Sequence, residues 1–367
     1  MIIKSAELIW VQLRLLSDFV TSQATYSNRP IVLLKITGDQ GEQGWGECSA
    51  LENPFYTSEY LKGAFDVLKN FLLPLVGNKN VNKENVELLL QQVRGNQIAK
   101  SAVIMAILDA DLRSSGTSLR EFLQVPNSKI KPAVSLGIQE DIFQLLQLID
   151  LHVEQGYEYF KLKIRPGYDL GILEAIRNRF PKVGLGVDAN GAYNIGDMDL
   201  LKTLDDFDLY AIEQPFPKES LFELKELSSG ITTPVVLDES IDSFDSALAA
   251  IDMGLGSAIS IKQAKVGGIL EAKKIHDLSK AAGIPNTYGG MFESGLGRGV
   301  GLVIASSENF TLPSDLSASS RYFDLDVTEL FELKDGFLIP PTGAGMGVEV
   351  QESALEKLGA IRYQVDF

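Results

Sequence analysis

Five charged side chains recur along this chain at nearly constant spacing, each at the end of a short apolar run. Lys163 ends "YFKLKI", Asp188 ends "VGLGVDAN", Glu213 ends "LYAIEQP", Asp238 ends "TPVVLDES" and Lys262 ends "AISIKQAK". Successive members lie 25, 25, 25 and 24 residues apart. Apolar runs of this length read as buried strands. The intervals of roughly twenty residues hold one helix and two loops, as a parallel crossover requires. The pattern predicts an α/β chain with a (β/α)8-type barrel, a modified TIM barrel. In such a barrel the carboxyl ends of the strands face one another across the mouth, where active sites lie. A solenoid could share the period. These units share only the strand–helix pattern and no residue motif, which favours the barrel.

The chain of 367 residues exceeds the roughly 250 residues of a single barrel. The excess is N-terminal. Residues 1–50 read as a β-meander, with strands at "AELIWVQLRL" and "RPIVLLKIT" and a third after the turn in "GDQGEQGWGECSA". Helical periodicity follows over 58–76, 80–95 and 98–114, without βαβ alternation. Such a segregated arrangement marks a separate α+β unit. The break falls where "QVPNSKIKP" carries Pro126 and Pro132. The expected divisions are 1–127 for the α+β unit, 128–322 for the barrel and 323–367 for a C-terminal return that completes the first unit. Within the barrel, a seventh strand is expected in "IPNTYGG" and an eighth in "NFTLPSD".

Cys48 is the only cysteine, so no disulfide can form within the chain, no thiolate zinc site can be built, and a reducing cytosol is the default. No apolar stretch approaches a membrane span, and the N-terminus lacks the pattern of a signal peptide. A cytoplasmic enzyme is expected. The formal net charge of −16 argues against nucleic acid as a partner. It also requires that an anionic substrate be drawn in by local positive charge, from lysines and a metal.

Asp188, Glu213 and Asp238 offer three anionic oxygens from three adjacent strands. A single Asp after a strand is commonly a helix cap. Three in register repel one another unless a cation joins them. Neither His152 nor His276 accompanies them, since both fall inside predicted helices. Oxygen-only ligation with open positions suits Mg2+, with Mn2+ possible, better than Zn2+. Glu239, beside Asp238, is expected to support the site from behind.

Lys163 and Lys262 sit one strand outside the carboxylates on either side, so they would flank a substrate on opposite faces. A lysine serves as a base only when burial or neighbouring cations favour its neutral form. Lys161, two residues before Lys163 on the same strand face, is such a neighbour and a possible contact for a substrate carboxylate. The chemistry expected is abstraction of a proton next to a carboxylate, with the metal stabilising the resulting enediolate. A second lysine then either returns a proton from the other face or stands as a cation while a β-group departs.

With these motifs in hand the chain resembles the enolase superfamily, muconate-cycloisomerase-like branch. Within it the resemblance is to the o-succinylbenzoate synthase / N-succinylamino acid racemase family. The likeness runs through "GWGECSAL", "NPFYTSEY", "KLKI", "DAN", "IEQP", "LDES", "GGMFESGLGRG", "NFTLPSDLSASSRYF" and "PPTGAGMGV". Lysine bases with Mg2+-stabilised enediolates are general to that superfamily. The resemblance implies an N-terminal capping domain, Mg2+ on Asp188, Glu213 and Asp238, Lys163 as base and Lys262 opposite. It implies that Asn190 orients the carboxylate or metal. Ser135, Gly290, Met291 and Phe292 would line the substrate's succinyl or ring portion, and Phe19 and Leu51 would close over it. It further implies a small carboxylate substrate, dehydration in menaquinone biosynthesis with N-succinylamino acid racemisation, alone or as a second activity, as the alternative, and a homo-oligomer. Dipeptide epimerases usually carry an Asp-x-Asp pair on the last strand, absent from "NFTLPSDLSA". One departure lies near the chemistry. Where this branch usually reads Pro-Gly-Arg after the second lysine, this chain has Gln263–Ala264–Lys265. Lysine cannot make the planar bidentate contacts of arginine, which casts more doubt on two-base racemisation than on elimination.

Overall fold

The computed structural model describes residues 1–126 and 128–367. The expected boundary at 127 falls on Asn127, outside the described residues. The N-terminal unit is a four-stranded antiparallel sheet covered by helices. Strands β1 (Ile3–Val20), β2 (Thr25–Gly38) and β3 (Gln43–Cys48) form the expected meander. The long helix α1 (Gln97–Ser114) packs on β3. Gly44 and Gly46 make that contact possible: a Cβ on either would lie 2.0 Å from a carbonyl oxygen of the helix. The C-terminal strand β11 (Ile361–Asp366) returns as anticipated and pairs antiparallel with β1. The sheet order is therefore β11-β1-β2-β3.

From residue 133 onward, strands and helices alternate. The strands are β4 (Ala133–Leu136), β5 (Tyr159–Lys163), β6 (Gly184–Asp188), β7 (Leu209–Glu213), β8 (Val235–Leu237), β9 (Ala258–Ile261) and β10 (Asn286–Tyr288). All neighbours are parallel and lie in sequence order. The helices between them include α2 (Ile142–Glu154), α3 (Leu170–Arg179), α4 (Met198–Thr203), α5 (Leu221–Gly230), α6 (Phe244–Met253), α7 (Ile269–Ala281) and α8 (Gly295–Ala305). Strands buried on both faces need continuous apolar runs, which is why these segments stand out in the sequence.

The anticipated eighth strand is not formed as a strand. Residues 309–315 still close the ring. Asp315 N donates to Tyr288 O, and Ala133 N donates to Ser314 O. Pro313 lacks an N–H, and Ser314 meets β4 only through an isolated bridge from Pro132. Three apolar clusters result among the described residues: the largest joins the barrel strands to their helices and reaches into the N-terminal unit, a second lies between the N-terminal sheet and its helices, and a small third gathers Ala211, Val236 and Ala258 on the barrel strands. Among the described residues no helix is long and apolar enough to cross a membrane.

Candidate active site

Strand register sets the charged row. Lys163 is opposite Asp188, and Asp188 is opposite Glu213. Lys163 Nζ lies 2.6 Å from Asp188 Oδ2 and donates to Asn190 Oδ1 at 2.8 Å. Asn190 has a left-handed backbone, φ 47°, a conformation that asparagine tolerates better than most side chains. Its N–H reaches back to Asp188 Oδ1 and its Nδ2 donates to Glu239 Oε1, each at 3.0 Å. Lys161 is shared among three carboxylates: Glu213 at 3.0 Å, Asp315 at 3.1 Å and Asp188 at 3.4 Å.

Across the mouth, Asp238 carries the other cations. Lys262 Nζ and Lys265 Nζ each lie 2.7 Å from one of its oxygens. Lys265 also donates to the Asp238 carbonyl. Tyr56, from the N-terminal unit, contacts both Asp238 oxygens at 2.9 and 3.0 Å, and its hydroxyl accepts from Lys262 at 2.7 Å. Gln214, at φ 36°, accepts from Asp238 N and Ser240 N and donates to Phe216 O. It thereby locks the loop after β7 to the loop after β8.

Burial sets the electrostatics. Burial alone would lower Lys161 and Lys262, but carboxylates outweigh it: Asp315, Glu213 and Asp188 raise Lys161, and Asp238 and Glu213 raise Lys262. Burial would raise Asp188 and Asp238, yet their lysine neighbours hold both below the usual carboxylate range. Glu213 and Glu239 are pushed up to about 7, first by burial and then by nearby carboxylates. Glu213 Oε1 and Glu239 Oε2 are buried without a hydrogen-bond partner among the described residues. Five carboxylates (Asp188, Glu213, Asp238, Glu239 and Asp315) thus share four ammonium groups.

These residues fit a hard divalent cation. The donors are oxygen only, two of their oxygens are unsatisfied, and the cluster is short of positive charge. Among the described residues no three His, Cys, Asp or Glu side chains converge into a closed ligand set. The lysine ammonium groups stand between the carboxylates instead.

Phe19, Leu51, Ser135, Lys161, Lys163, Asn190, Lys262, Gly290, Met291 and Phe292 all line one cavity between the two units. Every lining residue expected from the sequence is therefore brought to one place. The Phe292 ring meets Phe19 edge-on at 5.0 Å and Tyr322 at 5.4 Å. Asp188, Glu213 and Asp238 are almost fully buried beneath the lysines. Glu239 and Lys265 border a neighbouring groove under residues 54–59. Lys161 is no isolated like charge beside Lys163, because three carboxylates share it. His152 and His276 lie in helices α2 and α7, as anticipated.

Four residues at this site escaped the sequence reading: Tyr56, Gln214, Asp315 and Arg298. Tyr56 and Gln214 fall inside motifs already noted, "NPFYTSEY" and "IEQP", but nothing local marks their side chains. Asp315 is the charged residue at the end of the ring-closing segment, so the rule that singled out the other five would have reached it.

A parallel barrel with a row of carboxylates flanked by lysines at its mouth, roofed by an α+β unit, defines a member of the enolase superfamily. Residues 144–354 match the family described as enolase C-terminal domain-like. Residues 6–123 match the mandelate racemase / muconate lactonizing enzyme N-terminal domain. The chain belongs to this family. It is 43% identical to an N-succinylamino acid racemase of Amycolatopsis over 94% of both chains. It is 38% identical to an o-succinylbenzoate synthase of Geobacillus stearothermophilus, covering 95% of this chain and 93% of the relative. A solved enolase-superfamily structure from Listeria innocua superposes with a TM-score of 0.95 at 36% identity, over 100% of this chain and 99% of the other.

Proposed function

We propose that this protein is a divalent-metal-dependent o-succinylbenzoate synthase. It would dehydrate 2-succinyl-6-hydroxy-2,4-cyclohexadiene-1-carboxylate to o-succinylbenzoate and water, a step of menaquinone biosynthesis. The observation that carries this reading is the placement of Lys163 and Lys262 on one cavity, with a row of carboxylates between them. Asp188, Glu213 and Asp238 would hold Mg2+, or Mn2+ in its place. When bound, that ion supplies electrostatic stabilisation for negative charge building on the substrate carboxylate.

Lys163 takes the proton from the ring carbon bearing the carboxylate. Lys262 remains an ammonium on the opposite face and offsets the growing charge. The ring hydroxyl then departs with the proton from Lys163, so water is the only by-product and the ring becomes aromatic. Asn190 accepts from Lys163 and keeps it aimed. Phe19, Leu51, Met291 and Phe292 exclude bulk water, which strengthens each of these interactions. A cytosolic, homo-oligomeric enzyme accompanies this proposal.

Racemisation of N-succinylamino acids is the second reading. It is favoured by the 43% identity to a racemase and by Lys262 lining the cavity. Purified protein with Mg2+ and the cyclohexadiene should yield o-succinylbenzoate, seen as new aromatic absorbance. No product would reject the synthase. In D2O, a succinylated amino acid that gains α-deuterium with inversion supports the racemase, and absence of exchange rejects it.

A further inference from the structure

Among the described residues, Arg298 is a buried cation on the cavity wall with no carboxylate in ion-pair contact. It lies in the first turns of α8, is 1% exposed and lines the same cavity as Lys163 and Lys262. Nη1 donates to Ser317 O at 2.6 Å. Nε has no partner among the described residues. Asp326, near the start of the same helix, is committed elsewhere: its oxygens accept from Gly295 N and Val327 N. The guanidinium stacks on the Tyr322 ring at 5.3 Å, and Arg321 covers that ring at 4.8 Å. Ser135 Oγ, lining the same cavity, is also buried without a partner among the described residues.

A guanidinium withdrawn from water without an ion pair is costly. So is a buried hydroxyl without a hydrogen bond. Both costs are recovered if a ligand anion completes the site. In a chain of net charge −16, unpaired buried positive charge is also what draws an anion in. Carboxylates pair with Lys161, Lys163 and Lys262, the lysines that line this cavity. Among the described residues that line it, Arg298 is the cation left over.

We propose that Arg298, with Ser135 Oγ, binds a second carboxylate of the substrate, remote from the one that is activated beside Lys163. The substrate is then a dicarboxylate. This inference rests on the function proposed above and extends it to the residue that selects the succinyl arm. Arginine suits the task because its planar fork can meet both carboxylate oxygens.

The test is calorimetric binding of two ligands to the Mg2+-loaded protein: o-succinylbenzoate, and 2-butanoylbenzoate, in which a methyl group replaces the distal carboxylate. Wild-type protein should bind the first roughly 30-fold more tightly, the range of a charged hydrogen-bonded contact. Arg298→Gln should shrink that ratio to roughly threefold or less, and Arg298→Lys should retain an intermediate ratio. Circular dichroism and the unfolding midpoint establish that each variant is folded. A folded Arg298→Gln protein with the wild-type ratio overturns the proposal. So does a wild-type protein that binds both ligands equally, a result that needs no variant. Turnover of the cyclohexadiene and of N-succinylamino acids is measured in parallel. Failure there strikes the proposed function, whereas the binding ratio reports on Arg298 alone.

Discussion

The Tyr56 hydroxyl lies 2.7 Å from Lys262 Nζ, although 206 residues separate them in the chain. The Tyr56 ring also presents its face to that ammonium, at 4.5 Å. A residue of the N-terminal unit therefore positions a lysine of the barrel mouth. Tyr56→Phe keeps the ring and removes the hydroxyl. The expected result is a fall of roughly tenfold or more in kcat with a smaller change in KM, from the loss of one charged hydrogen bond. A KM effect alone would assign Tyr56 to binding.

Lys163→Ala removes the proposed base while leaving its neighbours in place. Turnover should fall by roughly 10²- to 10⁴-fold. Affinity for o-succinylbenzoate, measured by titration, should change far less. Wild-type dehydration at saturating metal would exclude Lys163 as the base.

Gly289 lies directly against Lys262. A Cβ at this position would sit 2.3 Å from Lys262 Cε and 2.7 Å from Ser260 Oγ. Gly289→Ala must therefore push the lysine stem aside, since the stem is the softest neighbour. Activity should drop at least tenfold, with the unfolding midpoint lowered only modestly. The comparison of steady-state rates with thermal melts checks both halves.

The metal reading predicts a stability effect independent of turnover. Mg2+ at a hundredfold excess over its dissociation constant should stabilise the wild type by about 2.7 kcal/mol. Glu213→Gln should lose most of that increment. In EDTA the same substitution should cost little, because removing a buried charge and its repulsion with Asp188 and Asp238 offsets the lost ion pair with Lys161. Denaturant titrations with and without Mg2+ decide the matter.

Glu47 gives a pH dependence away from the charged mouth. Its carboxylate, on β3, accepts from Ser294 N, Ser294 Oγ and Gly297 N at the start of α8. Burial pushes it from 4.5 up to about 7. The folded state thus binds the proton more tightly than the unfolded chain does. The contribution is fully present below about pH 4.5 and is lost as pH rises through about 7, on the order of 3 kcal/mol in all. Glu47→Gln should flatten that part of the stability–pH curve. Parallel slopes for wild type and variant between pH 4.5 and 7 would refute this.

The charged row was legible because it arises from local rules. Strands buried on both faces require apolar runs, a crossover sets the interval between them, and Lys163, Asp188, Glu213, Asp238 and Lys262 fall at the ends of those runs. The eighth strand fails to form for a local reason as well. "NFTLPSD" is apolar enough for a strand, but Pro313 removes a ladder donor, and the segment closes the ring through individual hydrogen bonds. Gln214 and Tyr56 were invisible for the opposite reason. Their roles depend on loops meeting across the barrel mouth and across the junction between the two units, and no spacing rule connects them to Asp238.

By itself, the sequence determined the alternation of strand and helix, the separate N-terminal unit, and which five charged residues stand at strand ends. Periodicity and side-chain chemistry are properties of neighbours along the chain. Only the tertiary structure decided which charges pair: Lys161 among Glu213, Asp315 and Asp188, and Lys262 and Lys265 together on Asp238. It likewise decided that, among the described residues, Arg298 is left without an acid in contact. Ion pairs are selected by distance and burial after the chain has closed on itself, and the energy of a buried charge depends on every group packed around it.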